Sequence, residues 1–184
     1  MTRRVTASPA RLAGIVGVLL LAAVLVAAVA MPTAAPDAAP ADASELVTVV
    51  RIVDGDTVLV EIDGRVERVR YVGIDAPELE STDGGRAADC FGPEARHRHV
   101  ELVAGRQLRM ERDRSDRDRF DRLLRHARVE IDGEWRHVGE LLVAEGAAHA
   151  RSYPPDTSLD GRLADAERRA RDADAGLWGA CGPG

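Results

Sequence analysis

Three carboxylates and an arginine crowd one stretch of this chain: Asp56 within Asp54-Gly55-Asp56-Thr57, then Arg70, Asp75 and Glu78 within Arg70-Tyr71-Val72-Gly73-Ile74-Asp75-Ala76-Pro77-Glu78. These types suit metal-assisted attack on a phosphate. A phosphodiester is an anion, so a nucleophile is repelled until that charge is neutralised, and carboxylates are the natural ligands of a hard divalent cation that would neutralise it. Asp56 and Asp75 are the candidate ligands. A water must then lose a proton as it attacks phosphorus, and planar guanidinium groups match the equatorial oxygens of the transition state better than a point ammonium does. Taken singly, each residue has a plainer reading: Asp56 as a hairpin residue, Asp75 as a cap, Glu78 as a solvated acid, Arg70 as a strand surface residue.

The elements that must position these groups are legible around them. Val47 to Val53 reads as a strand that breaks at Asp54-Gly55, Thr57 to Ile62 resumes with β-branched residues, and Asp63-Gly64 is a short-hairpin signal before a third strand over 66–74. Leu79 to Cys90 is polar and aperiodic, a loop. Gly92-Pro93-Glu94 opens a helix to about Ala104 with Ala95, His99, Leu102 and Val103 on one face, and Gly105 ends it. A fourth strand over 107–111, a charged loop over 113–121 and a fifth strand over 123–131 follow. The spacing predicts a short helix over 138–145 and a last helix from Asp156–Thr157 with Leu159, Leu163, Ala166, Ala170 and Ala173 as its apolar stripe. Five short strands with a helix after the third imply an α+β, mainly β architecture, an OB-fold five-stranded barrel with about three helices, because closure hides the edges that an open sheet would expose. An α+β sheet with one face covered is the alternative.

Composition narrows the class. The chain has 184 residues, enough for one domain with appendages, and a formal net charge of −6, which excludes a polycation that coats nucleic acid nonspecifically. Arg3, Arg4 and Arg11 precede an apolar run from Ala13 to Met31 and an Ala/Pro-rich segment. This reads as an export sequence, either a cleaved signal peptide or an uncleaved membrane anchor, because the run is longer than the usual signal core of ~7–15 residues and approaches the ~17–25 of a membrane span. The expected division is 1–30 signal or anchor, 31–44 linker and 45–184 folded domain, secreted or held outside the cytoplasm. Cys90 and Cys181, the two cysteines, then lie in an oxidising compartment and point to a disulfide, with two unpaired thiols as the other reading. No spacing of a zinc site occurs.

Four motifs stand in order: Ile52-Val53-Asp54-Gly55-Asp56-Thr57; Val69-Arg70 to Ile74-Asp75-Ala76-Pro77-Glu78; Gly92-Pro93-Glu94-Ala95; and Asp118-Arg119-Phe120-Asp121-Arg122. Together they resemble the thermonuclease family, the staphylococcal-nuclease-like domains, over about 47–179. The resemblance implies a calcium ion held by Asp56, Asp75 and the backbone carbonyl of Ala76, with Glu78 as general base and Arg70 and Arg122 as the two phosphate-stabilising arginines. It implies a monomeric enzyme that hydrolyses DNA and RNA to 3′-phosphate ends. Arg119 and Phe120 take the places of a lysine and a tyrosine that meet a terminal phosphate, Tyr153 is a candidate to stack on a base, and Asp121 stands where glycine is common, adding a negative charge beside Arg122. The competing class is a noncatalytic binding module on the same barrel; an anchored interaction protein is a third.

Overall fold

The computed structural model describes residues 44–182; the expected export segment and most of the linker lie outside them. Strands β1 (Glu45–Ile52), β2 (Thr57–Ile62) and β3 (Arg65–Tyr71) form an antiparallel meander, with Thr57 opposite Arg70 in the last pair. The hairpin between β2 and β3 turns on Asp63 and Gly64, both at positive φ, the conformation that a two-residue connection needs to match strand twist. A two-residue strand β4 (Ile74–Asp75) and helix α1 (Gly92–Val103) come next. Strands β5 (Gln107–Glu111) and β6 (Leu123–Ile131) then pair antiparallel with each other, and β5 with β1. Parallel pairing of β3 with β6, Val69 with Leu123 and Arg70 with Leu124, closes five strands into a barrel. Short β7 (Glu134–His137) extends β6 as a hairpin through Asp132-Gly133, and helix α2 (Val138–Ala144), strand β8 (His149–Ala150), helix α3 (Asp160–Asp172) and helix α4 (Leu177–Ala180) complete the order, with β8 on β4.

The barrel interior holds Val47, Val58, Val60, Val69, Leu108, Met110 and Val129, and α1 packs Ala95, Leu102 and Val103 into the same core as Leu142 and Leu163. The expected helical face is the buried one, His99 included. His99 Nδ1 lies 2.8 Å from the carbonyl of Asp54, which can only accept, so Nδ1 carries the proton and Nε2 accepts from the Tyr71 hydroxyl at 2.9 Å. This string ties the Asp54-Gly55-Asp56 turn to α1 and β3. Burial lowers the basicity of His99 and raises the Tyr71 phenol, so both stay neutral.

Three boundaries differ from the sequence expectation. The third strand stops at Tyr71 rather than continuing to Ile74, because Gly73 turns the chain at φ 82° and Ile74–Asp75 pairs with β8 instead. The last helix starts at Asp160, not at Asp156–Thr157; Asp156 turns its carboxylate to the N–H groups of Arg114 and Ser115 at 2.8 and 2.7 Å rather than capping a helix. Ala173 caps the C-terminus of α3 and is exposed, outside the apolar stripe.

Candidate active site

The turn before β2 is built for close approach. A Cβ on Gly55 would come within 2.5 Å of the Ala76 Cβ and 3.2 Å of the Ala95 Cβ, so glycine lets this turn close on both the Ala76 segment and α1. Asp56 is thereby buried against the far end of β3. Its Oδ2 accepts from the Ala76 N–H at 2.8 Å and lies 3.0 Å from Arg70 Nη2, while Oδ1 accepts from the Thr57 hydroxyl at 3.0 Å.

Arg70 is the keystone of the arrangement. Its Nη2 also donates to Asp75 Oδ1 at 3.0 Å, and its Nη1 donates to the carbonyls of Tyr71 and Ile74, both at 2.8 Å. One buried guanidinium thus holds both carboxylates and the turn between β3 and β4. Burial pushes the Asp56 carboxyl up to about 7 against the pull of Arg70, and the neighbouring Asp54 acts in the same direction. A second arginine, Arg151, reaches the other Asp75 oxygen, Oδ2, at 3.7 Å from the exposed side. With oxygen donors converging on a single nitrogen, Asp56 and Asp75 suit a hard divalent cation; among the described residues no group of three His, Cys, Asp or Glu forms a complete cage, so remaining ligands would be carbonyls, that of Ala76 included, water or phosphate.

Glu78 stands on the exposed loop beyond β4, where its Oε2 accepts from Arg86 Nη2 at 3.3 Å. Arg122 immediately precedes β6: the parallel register sets Arg70 beside Leu124, two residues further on, and Arg70 and Arg122 line one cavity. Asp118 orients it, accepting from the Arg122 Nε at 2.7 Å and from its N–H at 3.0 Å. Burial alone would raise the Asp118 carboxyl, yet the hydrogen bonds from Arg122 and Phe120 prevail and hold it below the usual range.

The sequence-predicted residues other than the buried Asp56, which lines neither, fall around two adjoining hollows. Arg70, Arg119, Phe120, Arg122 and Tyr153 all line a cavity of about 420 Å³. Asp75, Ala76 and Glu78 line a second cleft of about 820 Å³ together with Asp89, Arg151 and Trp178. The Arg70–Asp75 ion pair joins the two. Phe120 and Tyr153 are 64% and 44% exposed, unusual for aromatic rings, and the guanidinium carbons of Arg119 and Arg122 lie 4.7 and 5.5 Å from the Phe120 ring centre. Asp121 adopts φ 63°, the left-handed conformation that favours glycine, and its carboxylate sits 3.6 Å from Arg117 rather than on Arg122.

Asp118, Arg86 and Asp89 were not anticipated as parts of the site. A signal existed for Asp118, four residues before Arg122 at the start of a turn; nothing in a polar, aperiodic loop marks Arg86 or Asp89. The expected Cys90–Cys181 disulfide is present.

The family model described as staphylococcal nuclease homologue matches residues 68–180. The SPbeta prophage-derived endonuclease YokF of Bacillus subtilis (strain 168) is 37% identical over 134 residues, which is 72% of this chain but 43% of that protein's own length. The endonuclease YncB of the same organism is 35% identical over 138 residues, covering 74% of this chain and 63% of its own. The thermonuclease of Staphylococcus hyicus is 30% identical over 130 residues, covering 71% of this chain and 73% of its own. A five-stranded closed barrel carrying this arginine-clamped carboxylate pair, matched over most of its length by that model and these relatives, makes the chain a member of the staphylococcal nuclease homologue family.

Proposed function

We propose that the protein is an exported, calcium-dependent nuclease that hydrolyses phosphodiester bonds of DNA and RNA to leave 3′-phosphate ends. The observation that carries this reading is Arg70: on one side it holds Asp56 and Asp75, and on the other it lines the cavity that also receives Arg122. Asp56, Asp75 and the Ala76 carbonyl would hold the calcium ion, which when bound supplies positive charge to the phosphate.

Glu78 takes a proton from water as the water oxygen bonds to phosphorus and the P–O5′ bond breaks. The four terminal N–H groups of Arg70 are engaged by Tyr71, Ile74, Asp75 and Asp56, so it contributes fixed positive charge to the cavity wall. Arg122 is different. It meets Asp118 through Nε, and among the described residues its Nη groups have no hydrogen-bond partner, leaving them for phosphate oxygens and the departing 5′ oxygen. Arg119 binds phosphate, and Phe120 and Tyr153 offer stacking faces for bases. The domain 45–184 acts as a monomer outside the cytoplasm, delivered by residues 1–30 as signal or anchor and spaced by 31–44.

Digestion of single-stranded DNA with calcium or with chelator tests the reading. Chelation abolishes cleavage and calcium restores it; restoration only by zinc or magnesium overturns the ion assignment. Glu78→Gln lowers turnover by roughly 10²-fold or more with the fold intact, and unchanged activity sinks the general base. Binding without cleavage under every condition favours the noncatalytic module.

A further inference from the structure

Glu78 leads directly into the exposed loop that ends at Cys90; within the loop Ser81 bonds with Arg86, whose exposed Nη2 also reaches the Leu79 carbonyl at 3.2 Å and the Glu78 carboxylate at 3.3 Å. The loop's two ends are joined by one residue. The N–H of Asp89 donates to the Glu78 carbonyl at 2.9 Å, and the Asp89 carboxylate accepts from the Glu78 N–H at 3.1 Å. Asp89 therefore grips both backbone polar groups of Glu78.

Asp89 is in turn held from its C-terminal side. The Gly92 N–H donates to the Asp89 carbonyl at 3.0 Å, and Gly92 packs so tightly on Glu78 that a Cβ would stand 2.3 Å from the Glu78 carbonyl oxygen. Between Asp89 and Gly92 lies Cys90, bonded to Cys181. Cys181 follows α4, whose first residue, Leu177, donates its N–H to the Gly146 carbonyl at 2.9 Å just beyond α2. The chain of contacts runs from the packed helices through the disulfide to Asp89 and so to Glu78, and Asp89, Cys90 and Cys181 line the same cleft as Glu78.

We propose that Asp89 and the Cys90–Cys181 disulfide form a positioning clamp for Glu78, so that turnover itself, and not stability alone, depends on the oxidised bond. This rests on Glu78 being the general base. Displacing a reacting group by about 1 Å costs up to roughly 10²-fold in rate, and loosening one end of the clamp is expected to cost about tenfold in kcat with little change in KM, because a misplaced base weakens the transition state more than substrate binding. Cys90 is exposed, so a dithiol reaches the bond: dithiothreitol reduces it to two thiols and is itself oxidised to a cyclic disulfide.

The test uses the full chain at saturating calcium and compares oxidised protein with protein reduced by dithiothreitol and alkylated, with far-UV circular dichroism to verify folding. Asp89→Ala, which leaves the disulfide intact, and reduction of the wild type each lower kcat about tenfold, whereas Asp89→Asn, whose amide oxygen accepts the same hydrogen bond, stays near wild type. In Glu78→Gln, reduction lowers kcat no further. Wild-type kcat in Asp89→Ala, or an equal fall on reduction with and without Glu78, overturns the clamp. Wild-type kcat in oxidised Glu78→Gln instead refutes the general base, and the clamp with it.

Discussion

Replacing Arg70 by methionine, close to it in length and unable to donate, removes four contacts at once. The Asp56 and Asp75 carboxylates lose a shared partner at 3.0 Å, and the Tyr71 and Ile74 carbonyls lose donors at 2.8 Å. Breaking a buried ion pair by deleting one member costs about 3–5 kcal/mol, and each buried carbonyl left unpaired adds about 1–3 kcal/mol. Arg70 lines an open cavity of about 420 Å³, however, so truncation admits water that re-satisfies the carbonyls, and the loss settles near 4 kcal/mol. That is a large share of the 5–15 kcal/mol typical of a domain. Arg70→Lys, with three donors on one nitrogen, cannot span all four acceptors and lies between the two. Urea unfolding with the slope held constant measures this. A loss under about 1 kcal/mol for Arg70→Met would refute the reasoning, since Arg70 would then be a substrate-binding arginine that the fold does not need.

Other perturbations separate the remaining parts. His137 accepts from the Glu140 N–H through Nδ1, so its Nε2 donates to His126 at 3.2 Å, and burial pushes its basicity down to about 3. Its folded value lies below the unfolded 6.5, so the unfolded chain takes up a proton that the native one refuses: stability is retained above about pH 6.5 and falls on acidification toward pH 3, by about 2 kcal/mol at pH 5. Burial acts on His126 in the same direction. His137→Asn keeps a helix-capping acceptor and flattens the pH dependence of the unfolding midpoint; an unchanged slope contradicts the assignment. Replacing both Cys90 and Cys181 by serine releases a cross-link spanning 91 positions, worth about 4.6 kcal/mol in the chain-entropy model, and guanidinium unfolding showing under 1 kcal/mol would reject that estimate. Phe120→Ala and Tyr153→Ala each raise KM for single-stranded DNA by roughly five- to a hundredfold, the scale of one stacked base, whereas an unchanged KM removes that ring from the binding surface.

The parts of this molecule that could be read from the chain are those where residue type dictates backbone. Asp63-Gly64 and Asp132-Gly133 demand positive φ and are hairpin turns, and the spacing of Ala95, His99, Leu102 and Val103 is the buried face of α1. Tyr71 to Ile74 misled because its apolar run continues a strand pattern, while the break is made by Gly73 and by Arg70 wrapping its guanidinium around the turn, a tertiary interaction. The start of α3 shifted for a similar reason: Asp156 is a good cap by type but serves the loop at Arg114 and Ser115. At the site, the motif residues were nameable, yet their distribution between two hollows and the grip of Asp89 on Glu78 depend on how distant segments meet.

The parallel pairing of β3 with β6 carries a consequence for the time course of folding. Arg70 on β3 and Arg122, just before β6, are far apart in sequence and reach one cavity only when this seam closes. Loop-closure entropy opposes such long-range contacts, so they tend to form late. A chain with its meander and helix already made would still lack the paired arginines. Nuclease activity is therefore expected to emerge with the final closure step, which makes recovered cleavage during refolding a direct clock for the joining of the two barrel halves.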